Sequence, residues 1–351
     1  MEYNLTIKSF DRFVDLYNIY PAAHWRINAS HMPVDDMVEL LNKISSFMKE
    51  KNFSSPLFID LQGTKMRLSN QQNEFLIHTN DDVIVFSETQ HKALNATDKE
   101  NYKNVFLFTD DVYSLLKDHI TPELLVNIDD AKITLGHFSV SECKRFIKAK
   151  VIRANNNQHT VYKRKGINIK PHPVASTDLM PRDRNIIQKT QHFPFVSYCL
   201  SFLNSYEELS ALRNAIPREK IIVAKLELPL KMSDIQKMVD GIPNTNYWLC
   251  RGDLGSQLST VELMQYYTLF NNEIVKKNYQ KTRFVLAGEV MDHLLCDSYP
   301  TRSEICHLAD AINFGYRGFV LSNETAFGKY YKECAEFMTK NCDAYYNTLL
   351  K

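Results

Sequence analysis

Eight short apolar runs alternate along the chain with longer amphipathic stretches. They lie at residues 4–7, 24–27, 57–60, 195–198, 221–227, 247–253, 284–289 and 318–324. Their nearly continuous apolar character is typical of strands that are buried on both faces of a parallel sheet. Between them, apolar residues recur at spacings of three and four, which predicts helices over 34–50, 205–215, 260–277 and 302–314.

One segment departs from this alternation. Between about Ser69 and Pro171 the chain consists of short β-like runs separated by Asn, Asp and Lys turns. Without residues 68–171, the remaining chain has close to the ~250 residues of an eight-stranded β/α barrel. We therefore predict an α/β fold, a TIM (β/α)8 barrel over residues 1–67 and 172–351, with a β-rich lid domain over 68–171 inserted after the third barrel strand.

The composition narrows the class of protein. Hydrophobic residues make up 44% and charged residues 24% of the chain, and the formal net charge is +1, so nothing favours binding to nucleic acid or a membrane surface. No run approaches the ~18 apolar residues of a membrane span, and the N-terminus does not resemble a signal peptide. The seven cysteines form no CxxC pair, which indicates reduced thiols and a cytoplasmic protein.

Polar side chains follow the apolar runs, where the chemistry of a β/α barrel is located. Lys225 and Glu227 are two residues apart on one strand and therefore point to the same side. They either form a structural ion pair or contribute to a binding site. The polar residues at these strand ends are Arg26, Asn28, Ser30, Asp60, Ser201, Lys225, Glu227, Asp253, Glu289, Ser322 and Glu324.

A divalent-cation site is the functional alternative to the ion pair. Glu227 and Asp253 would supply carboxylate oxygens, the ligands that Mg²⁺ and Mn²⁺ prefer, and substrate oxygens would complete the shell. Lys225 and Arg26 would neutralise a phosphate or carboxylate. The glycines on either side of Asp253 would let backbone N–H groups approach that anion.

At these residues the sequence resembles the pyruvate kinase family. RINASH at 26–31 is similar to the family's RLNFSH, IDLQGTKMR at 59–67 to its LDTKGPKIR-type segment, and YWLCRGDLG at 247–255 to its MVARGDLG. Five further segments match in the same order: KGINI (165–169), SFLNSYEEL (201–209), IIVAKLE (221–227), PTRSEICHLADAINFG (300–315) and LSNETAFGKY (321–330). The family has a barrel, an inserted lid and a C-terminal regulatory domain, and we expect the regulatory domain to be absent from this divergent member.

The resemblance implies a role for each matching residue. Glu227 and Asp253 would bind the catalytic Mg²⁺ or Mn²⁺, Lys225 would lie against the transferring phosphoryl group, and Arg26 would bind phosphate oxygens. Other substrate or phosphate contacts would come from Arg67, Ser201, Gly252, Asp253 and Gly288, and contacts of the lid or with a nucleotide from His31, Lys165 and Asp129 or Asp130.

A monovalent-cation site is also implied by the resemblance. Asn28, Ser30 and Asp60 match the family's ligands for that ion. Lys65, however, stands where potassium-requiring members carry glutamate. Its ammonium group could take the place of the ion, as in potassium-independent members, so we do not expect a potassium requirement.

Four departures from the family concern the nucleotide and the substrate carboxylate. Gly288 stands in place of a threonine that contacts the carboxylate and relays a proton, Phe327 in place of a lysine and Asn204 in place of an arginine. The loop after the first strand is shortened to TIKS. We therefore expect little formation of pyruvate from phosphoenolpyruvate and ADP.

Three functions remain open on these grounds. The leading hypothesis is a pyruvate kinase-like phosphotransferase of glycolysis-related metabolism, with phosphoenolpyruvate as donor and ADP or another acceptor. A metal-dependent 2-oxoacid lyase, such as an oxaloacetate decarboxylase, is the alternative, since the same metal can stabilise an enolate. The third is a non-catalytic phosphoenolpyruvate-binding protein. The partners would be small molecules, and the sequence is compatible with a homo-oligomer.

Overall fold

The computed structural model describes residues 1–170, 172–174, 176–278 and 280–350 and, within those ranges, every side chain except those of His31 and Asp98. The chain divides into two compact units. We call Met1–Thr64 together with Ala175–Lys351 the barrel unit, and Lys65–Val174 the inserted unit. The predicted borders are at 67/68 and 171/172, and residue 171 lies outside the described residues.

The described part of the chain contains seventeen β-strands. In chain order they are β1 (Glu2–Thr6), β2 (His24–Asn28), β3 (Leu57–Asp60), β4 (Met66–Arg67), β5 (Phe75–His78), β6 (Asp82–Ser87), β7 (Val105–Phe108), β8 (Val126–Ile128), β9 (Ile133–Val140), β10 (Ile147–Ala154), β11 (Gln158–Val161), β12 (Gly166–Ile169), β13 (Val196–Leu200), β14 (Ile222–Leu226), β15 (Thr245–Cys250), β16 (Phe284–Ala287) and β17 (Gly318–Leu321).

Fifteen α-helices lie between and after these strands in the same described residues. They are α1 (Phe10–Ile19), α2 (Val34–Glu50), α3 (Glu88–Lys92), α4 (Ala96–Asn101), α5 (Asp110–Asp118), α6 (Pro181–Thr190), α7 (Tyr206–Asn214), α8 (Met232–Gly241), α9 (Arg251–Gln257), α10 (Thr260–Leu269), α11 (Lys276–Asn278), α12 (Arg302–Phe314), α13 (Asn323–Ala326), α14 (Tyr331–Phe337) and α15 (Asp343–Leu349). None of the described helices is both long enough and apolar enough to cross a membrane.

Eight parallel strands close into a barrel in the barrel unit. Their order around it is β1-β17-β16-β15-β14-β13-β3-β2, and β1 pairs with both β2 and β17 to complete the circle. Each of the eight predicted runs overlaps one of these strands. Every residue of β1, β3, β13, β14, β16 and β17 is buried, as expected for strands with the barrel interior on one face and helices on the other. The predicted TIM barrel is confirmed.

Several predicted elements end elsewhere than the apolar pattern indicated, and two of them bear on the site or on helix geometry. The run 247–253 leaves the sheet at Cys250, and Arg251 begins the short helix α9. The predicted helix 260–277 is α10 followed by a π-helical turn over Phe270–Val275 and then α11. By contrast, α2 and α12 have the predicted bounds.

The core of the barrel unit has two layers. The larger one lies between the strands and the surrounding helices. A smaller one fills the barrel interior and includes Phe58, Cys199, Trp248, Cys250 and Val285. The barrel interior is therefore filled by side chains. The polar residues at the carboxyl ends of the strands lie next to this packed apolar layer.

The inserted unit has its own sheet and its own core. Seven strands form one sheet in the order β4-β12-β8-β9-β10-β6-β7, and β5 pairs with β11. Its apolar core draws only on residues of this unit, from Met66 to Ile169. The unit is β-rich, as predicted, but it also contains α3, α4 and α5, which the sequence pattern did not reveal. Because β6 and β7 pair in parallel, the chain between them must cross over, and α3 and α4 lie in that crossover.

Candidate active site

Lys225 lies between two carboxylates at the carboxyl ends of the barrel strands. Its Nζ is 2.7 Å from Oε1 of Glu227 and 3.1 Å from Oδ1 of Asp60, and it donates a hydrogen bond of 3.1 Å to Oγ of Ser201. Lys225 is on β14, Asp60 ends β3, and Ser201 directly follows β13. Three adjacent strands thus bring these groups together, and Lys225 and Glu227 form the ion pair that was one of the two alternatives.

Arg26 joins the same group from β2. Its Nε and Nη2 donate to Oδ2 of Asp60 at 2.9 and 2.5 Å. Its Nη1 donates to Oγ1 of Thr6 at 2.9 Å and to Oγ of Ser322 at 3.4 Å. Both oxygens of Asp60 therefore face cationic groups. The hydrogen bonds of Arg26 to Thr6 and Ser322 also connect this guanidinium to the ends of β1 and β17. We call Arg26, Asp60, Lys225 and Glu227 the charge cluster.

For three buried members of the charge cluster, Arg26, Asp60 and Lys225, the pKa is shifted in the direction that favours the ionised form. Burial alone would raise the pKa of Asp60, but the positive charges of Lys225 and Arg26 outweigh it and hold that pKa far below its usual range. Burial would likewise lower the pKa of Lys225, and the carboxylates of Asp60 and Glu227 outweigh it and raise that pKa well above normal. Two fixed positive charges are therefore present at neutral pH.

Glu227 and Asp253 lie on neighbouring elements. Glu227 directly follows β14 and accepts the backbone N–H of Phe202 at 2.8 Å through Oε2. Asp253 lies in the first turn of α9 and not at a strand end, which corrects the expectation drawn from the apolar run. Burial raises the pKa of the thiol of Cys250, the last residue of β15, and the negative charges of Glu227 and Asp253 raise that pKa further, so both carboxylates lie near the end of this strand.

These two carboxylates fit a divalent cation that shares its ligands with a substrate. No three His, Cys, Asp or Glu residues are grouped as a metal site in the parts of the chain that the structure describes. Outside its chain neighbours and the backbone of its own helix, a Cβ built on Gly252 would meet no atom within 4 Å, so the backbone beside Asp253 is not crowded. Mg²⁺ and Mn²⁺ commonly take one or two protein carboxylates and complete their shells with water and substrate oxygens.

At Gly288 the backbone conformation, and not only the missing hydroxyl group, disfavours the family's threonine. Its φ is +84°, and a Cβ would lie 3.0 Å from the backbone nitrogen of Gly252 and 3.3 Å from that of Arg251. The guanidinium of Arg251 donates to the carbonyls of Gly288, at 3.0 and 2.6 Å, and of Glu289, at 2.8 Å. Threonine would therefore be strained on this backbone. Arg251, which no motif analysis had singled out for this contact, fixes the turn.

The remaining predicted residues of the barrel unit are placed as follows. Oδ1 of Asn28 accepts the N–H of Ser30 at 3.1 Å and begins the short turn over Ala29–His31. The side chain of His31 lies outside the described residues. The ring of Phe327 is 60% exposed, and Nζ of Lys8 lies 4.4 Å from its centroid.

The predicted lid residues lie together in the inserted unit. Nζ of Lys165 is 2.9 Å from Oδ1 of Asp129, and Nε2 of His159 is 3.0 Å from Oδ2 of the same carboxylate. Asp129 and Asp130 both have a positive φ. Nη1 of Arg67 donates to the carbonyl of Arg164, and Lys65 lies over Gly166, where a Cβ would be 2.7 Å from Cε of the lysine. His159 and Arg164 also take part in these contacts, which the sequence pattern did not predict.

Comparison with known proteins agrees with this architecture. A model of the pyruvate kinase barrel domain matches residues 18–335. Over 323 residues the chain is 25% identical to a pyruvate kinase of Thermotoga maritima, covering 90% of this chain and 64% of that protein. A pyruvate kinase of Haemophilus influenzae is also 25% identical over 323 residues, covering 90% and 63%. The chain thus spans less than two thirds of the length of these curated relatives.

A solved structure shares the fold. The crystal structure of a pyruvate kinase from Cryptosporidium parvum superimposes with a TM-score of 0.75 at 19% identity, covering 99% of this chain and 69% of that one. The family model matches most of the chain, and eight parallel strands form the closed barrel. This chain therefore belongs to the pyruvate kinase family.

Proposed function

We propose that this chain is a metal-dependent phosphotransferase that moves a phosphoryl group between phosphoenolpyruvate and an acceptor. The observation that carries the proposal is the buried ammonium of Lys225, held 2.7 Å from Glu227 and 3.1 Å from Asp60 beside Arg26. Phosphoryl transfer requires positioning and positive charge more than covalent chemistry. Two cations whose ionisation is enforced by their neighbours meet that requirement.

Each residue of the charge cluster has a role in this proposal. Glu227 and Asp253 would hold Mg²⁺ or Mn²⁺, which when bound supplies a Lewis acid for phosphoryl and enolate oxygens. Lys225 pairs with Glu227, and its ammonium would lie against the transferring phosphoryl group. Arg26 binds phosphate oxygens, and its bonds to Asp60, Thr6 and Ser322 orient the guanidinium.

The acceptor is the least constrained part of the proposal. Gly288 offers no hydroxyl to a carboxylate, and Phe327 offers an exposed ring in place of the family's lysine. We therefore propose that ADP is a weak acceptor and that another molecule is the better acceptor of the phosphoryl group. Arg67, Lys165 and Asp129 of the inserted unit are proposed to contact substrate. The cytoplasm is the proposed location, since all seven cysteines are free thiols.

The reaction can be tested by a product screen. Phosphoenolpyruvate, Mg²⁺ and a panel of acceptors including ADP are incubated with the protein, and pyruvate is measured together with the phosphorylated acceptor by ³¹P NMR. Removal of one positioned charge typically costs roughly 10²–10³ in rate. Asp253→Asn should cause a loss of that size, whereas Asp240→Asn should not, because that carboxylate is exposed and pairs only with Lys281 among the ion pairs of the described residues.

Three results separate the candidate functions. Pyruvate formed in step with a phosphorylated acceptor supports the transferase. Oxaloacetate decarboxylation that depends on Mn²⁺ and Asp253, with no phosphoryl transfer, would replace it by the lyase. Binding of phosphoenolpyruvate and Mn²⁺ without either reaction would reduce the protein to a binding protein.

We also propose that the reaction needs no potassium. Both oxygens of Asp60 already face Arg26 or Lys225, and Lys65 brings a fixed positive charge on a long stem. Activity should be equal in potassium and tetramethylammonium buffers, and Lys65→Glu should create a potassium requirement. A wild-type protein that depends on potassium would refute this proposal.

A further inference from the structure

Two buried carboxylates in the barrel unit have no role in the proposed reaction. Asp183 is 2% and Glu208 3% exposed. Asp183 is the third residue of α6 and Glu208 the third residue of α7. Each accepts two backbone N–H groups from outside its own helix.

Asp183 holds the segment that leads out of the barrel unit. Its Oδ1 accepts the N–H of Gln62 at 3.2 Å and its Oδ2 the N–H of Gly63 at 2.8 Å. Thr64 is the last residue of the barrel unit before the inserted unit. Gly63 has a φ of +58°, and a Cβ there would lie 2.5 Å from the carbonyl oxygen of Ser201. The turn is therefore in close contact with Ser201, and the carboxylate of Asp183 holds it through these two hydrogen bonds.

Glu208 holds the segment that leads back in. Its Oε1 accepts the N–H of Ser176 at 3.2 Å, and its Oε2 accepts the N–H of Asn204 at 2.6 Å. Ser176 is the first described residue of the barrel unit after the inserted unit. Both carboxylates line one cavity together with Thr64 and Ser176. Each connecting segment is thus held beside this cavity by a buried carboxylate that accepts its backbone N–H groups.

The segment held by Asp183 is continuous with the charge cluster. Oγ of Ser201 donates to the carbonyl of Leu61 at 2.7 Å and to Oδ1 of Asp60 at 3.2 Å. The ammonium of Lys225 donates to the same hydroxyl at 3.1 Å. A displacement of residues 61–63 would therefore move both the carboxylate and the hydroxyl that hold Lys225.

We propose that Asp183 and Glu208 are positioning residues that fix the barrel-side ends of both connections to the inserted unit, and that Asp183 thereby sets the position of Asp60 and Ser201 against Lys225. The role of the two carboxylates in fixing the connecting segments is independent of the proposed function, whereas the effect of Asp183 on Lys225 rests on it.

The hold of Asp183 depends on its ionisation. Burial raises the pKa of Asp183 to about 6, although the N–H groups of Gly63 and Gln62 oppose the rise. The other charged groups facing it are Arg182, which lowers the pKa, and Asp60, which raises it. An ionised carboxylate is a stronger acceptor than a protonated one. The bonds to residues 62 and 63 should therefore weaken as the pH falls through 6.

Amide hydrogen exchange tests the inference on the full chain. In Asp183→Asn the amides of Gln62 and Gly63 should exchange at least about fivefold faster than in the wild type, because a charge-assisted acceptor is lost. In Glu208→Gln the same should hold for Ser176 and Asn204. Asp35→Asn and Glu207→Gln are matched controls with exposed carboxylates, paired with Lys189 and Lys237. Exchange in β14 reports any global loss of stability.

Wild-type protein provides a second measurement that needs no variant. Protection of residues 62 and 63 should fall between pH 7.5 and pH 5.5, while protection of β14 does not. Unchanged exchange of these amides in both variants and across this pH range would overturn the inference. So would a change that affects β14 equally.

The catalytic part has its own readout. Asp183→Asn should lower kcat several-fold with a smaller change in KM, and the acid limb of the wild-type kcat profile near pH 6 should be absent in the variant. An unchanged kcat and profile would overturn this part. Absence of any phosphoryl transfer in the wild type would instead refute the proposed function, and the exchange result would still decide the role of the two carboxylates.

Discussion

At the scale of single residues, the buried carboxylates fall into two groups that the sequence does not distinguish. Asp60 faces Lys225 and Arg26, and its pKa is held low although burial opposes this. Glu324 instead accepts the N–H groups of Met291 and Ser322, and burial raises its pKa. The kind of partner decides the shift. Asp60 thus pairs with buried cations, whereas Glu324 holds backbone N–H groups of two loops.

Gly288 and Gly252 allow a sharp test at this scale. Gly288 has a φ of +84°, and its Cβ position is 3.0 Å from the nitrogen of Gly252, whereas the Cβ position of Gly252 is open. Gly288→Ala should lower the free energy of unfolding by roughly 1–2 kcal/mol, the cost of a left-handed conformation for a residue with a Cβ. Gly252→Ala should be neutral or stabilising, because it lies in a helix.

Urea denaturation of both variants measures this difference. Circular dichroism of both variants checks that the secondary structure is retained. An equally stable Gly288→Ala would show that the turn relaxes and that the family's threonine could be restored here.

The sequence predicted part of the site for clear physical reasons. The pairing of Lys225 with Glu227 follows from their spacing on one strand. The place of Asp253 was wrong because the apolar run continues past the point where the chain turns into α9. The contact of Arg251 with the carbonyl of Gly288 joins residues 37 positions apart. Such a contact depends on how two loops meet, which a local pattern does not contain.

At the scale of elements, prediction succeeded where local signals agreed. α12 begins after Thr301, whose side chain accepts the N–H of Glu304 while that glutamate accepts the N–H of Thr301. This capping box precedes a regular apolar pattern, and the predicted bounds were correct. The helices α3 and α4 are five and six residues long, too short to show a period. The β-like runs around them therefore dominated the interpretation.

Glu2 links three strands at the amino-terminal end of the barrel and makes its stability depend on pH. Its carboxylate is 3.3 Å from Nδ1 of His24 and accepts hydrogen bonds of 2.9 Å from Asn4 and Arg283. Burial would raise the pKa of Glu2, but the contacts with His24, Asn4 and Arg283 outweigh it and lower that pKa from 4.5 to about 2. The folded state therefore favours the ionised form.

The sign of the effect follows from this lowered pKa. The stabilisation is fully present above the unfolded pKa near 4.5 and is lost as the pH falls towards 2. Glu2→Gln should lower the free energy of unfolding by roughly 3 kcal/mol at pH 7 and by about half as much at pH 3. Urea denaturation at both values, with Glu207→Gln as an exposed control, measures the difference. A penalty that does not shrink in acid would contradict the assignment.

At the scale of the whole molecule, the two units are built around separate cores. The apolar core of the barrel unit draws on residues before Thr64 and after Ala175, and that of the inserted unit lies entirely between them. Near the ends of the inserted unit, β4 pairs with β12, so the chain enters and leaves it at one place. Folded units of this kind can in principle form independently.

Excision of the inserted unit should therefore leave two folded proteins. Thr64 and Ser176 line the same cavity, so a short Gly–Ser linker can replace residues 65–174 without stretching the barrel. The barrel variant and the isolated segment 65–174 should each retain native-like circular dichroism and unfold cooperatively in urea. Their m-values should scale with the surface that each exposes. An isolated segment without cooperative unfolding would mean that its core needs the barrel unit, and a barrel variant that fails to fold would mean that the connecting segments held by Asp183 and Glu208 require the inserted unit for their structure.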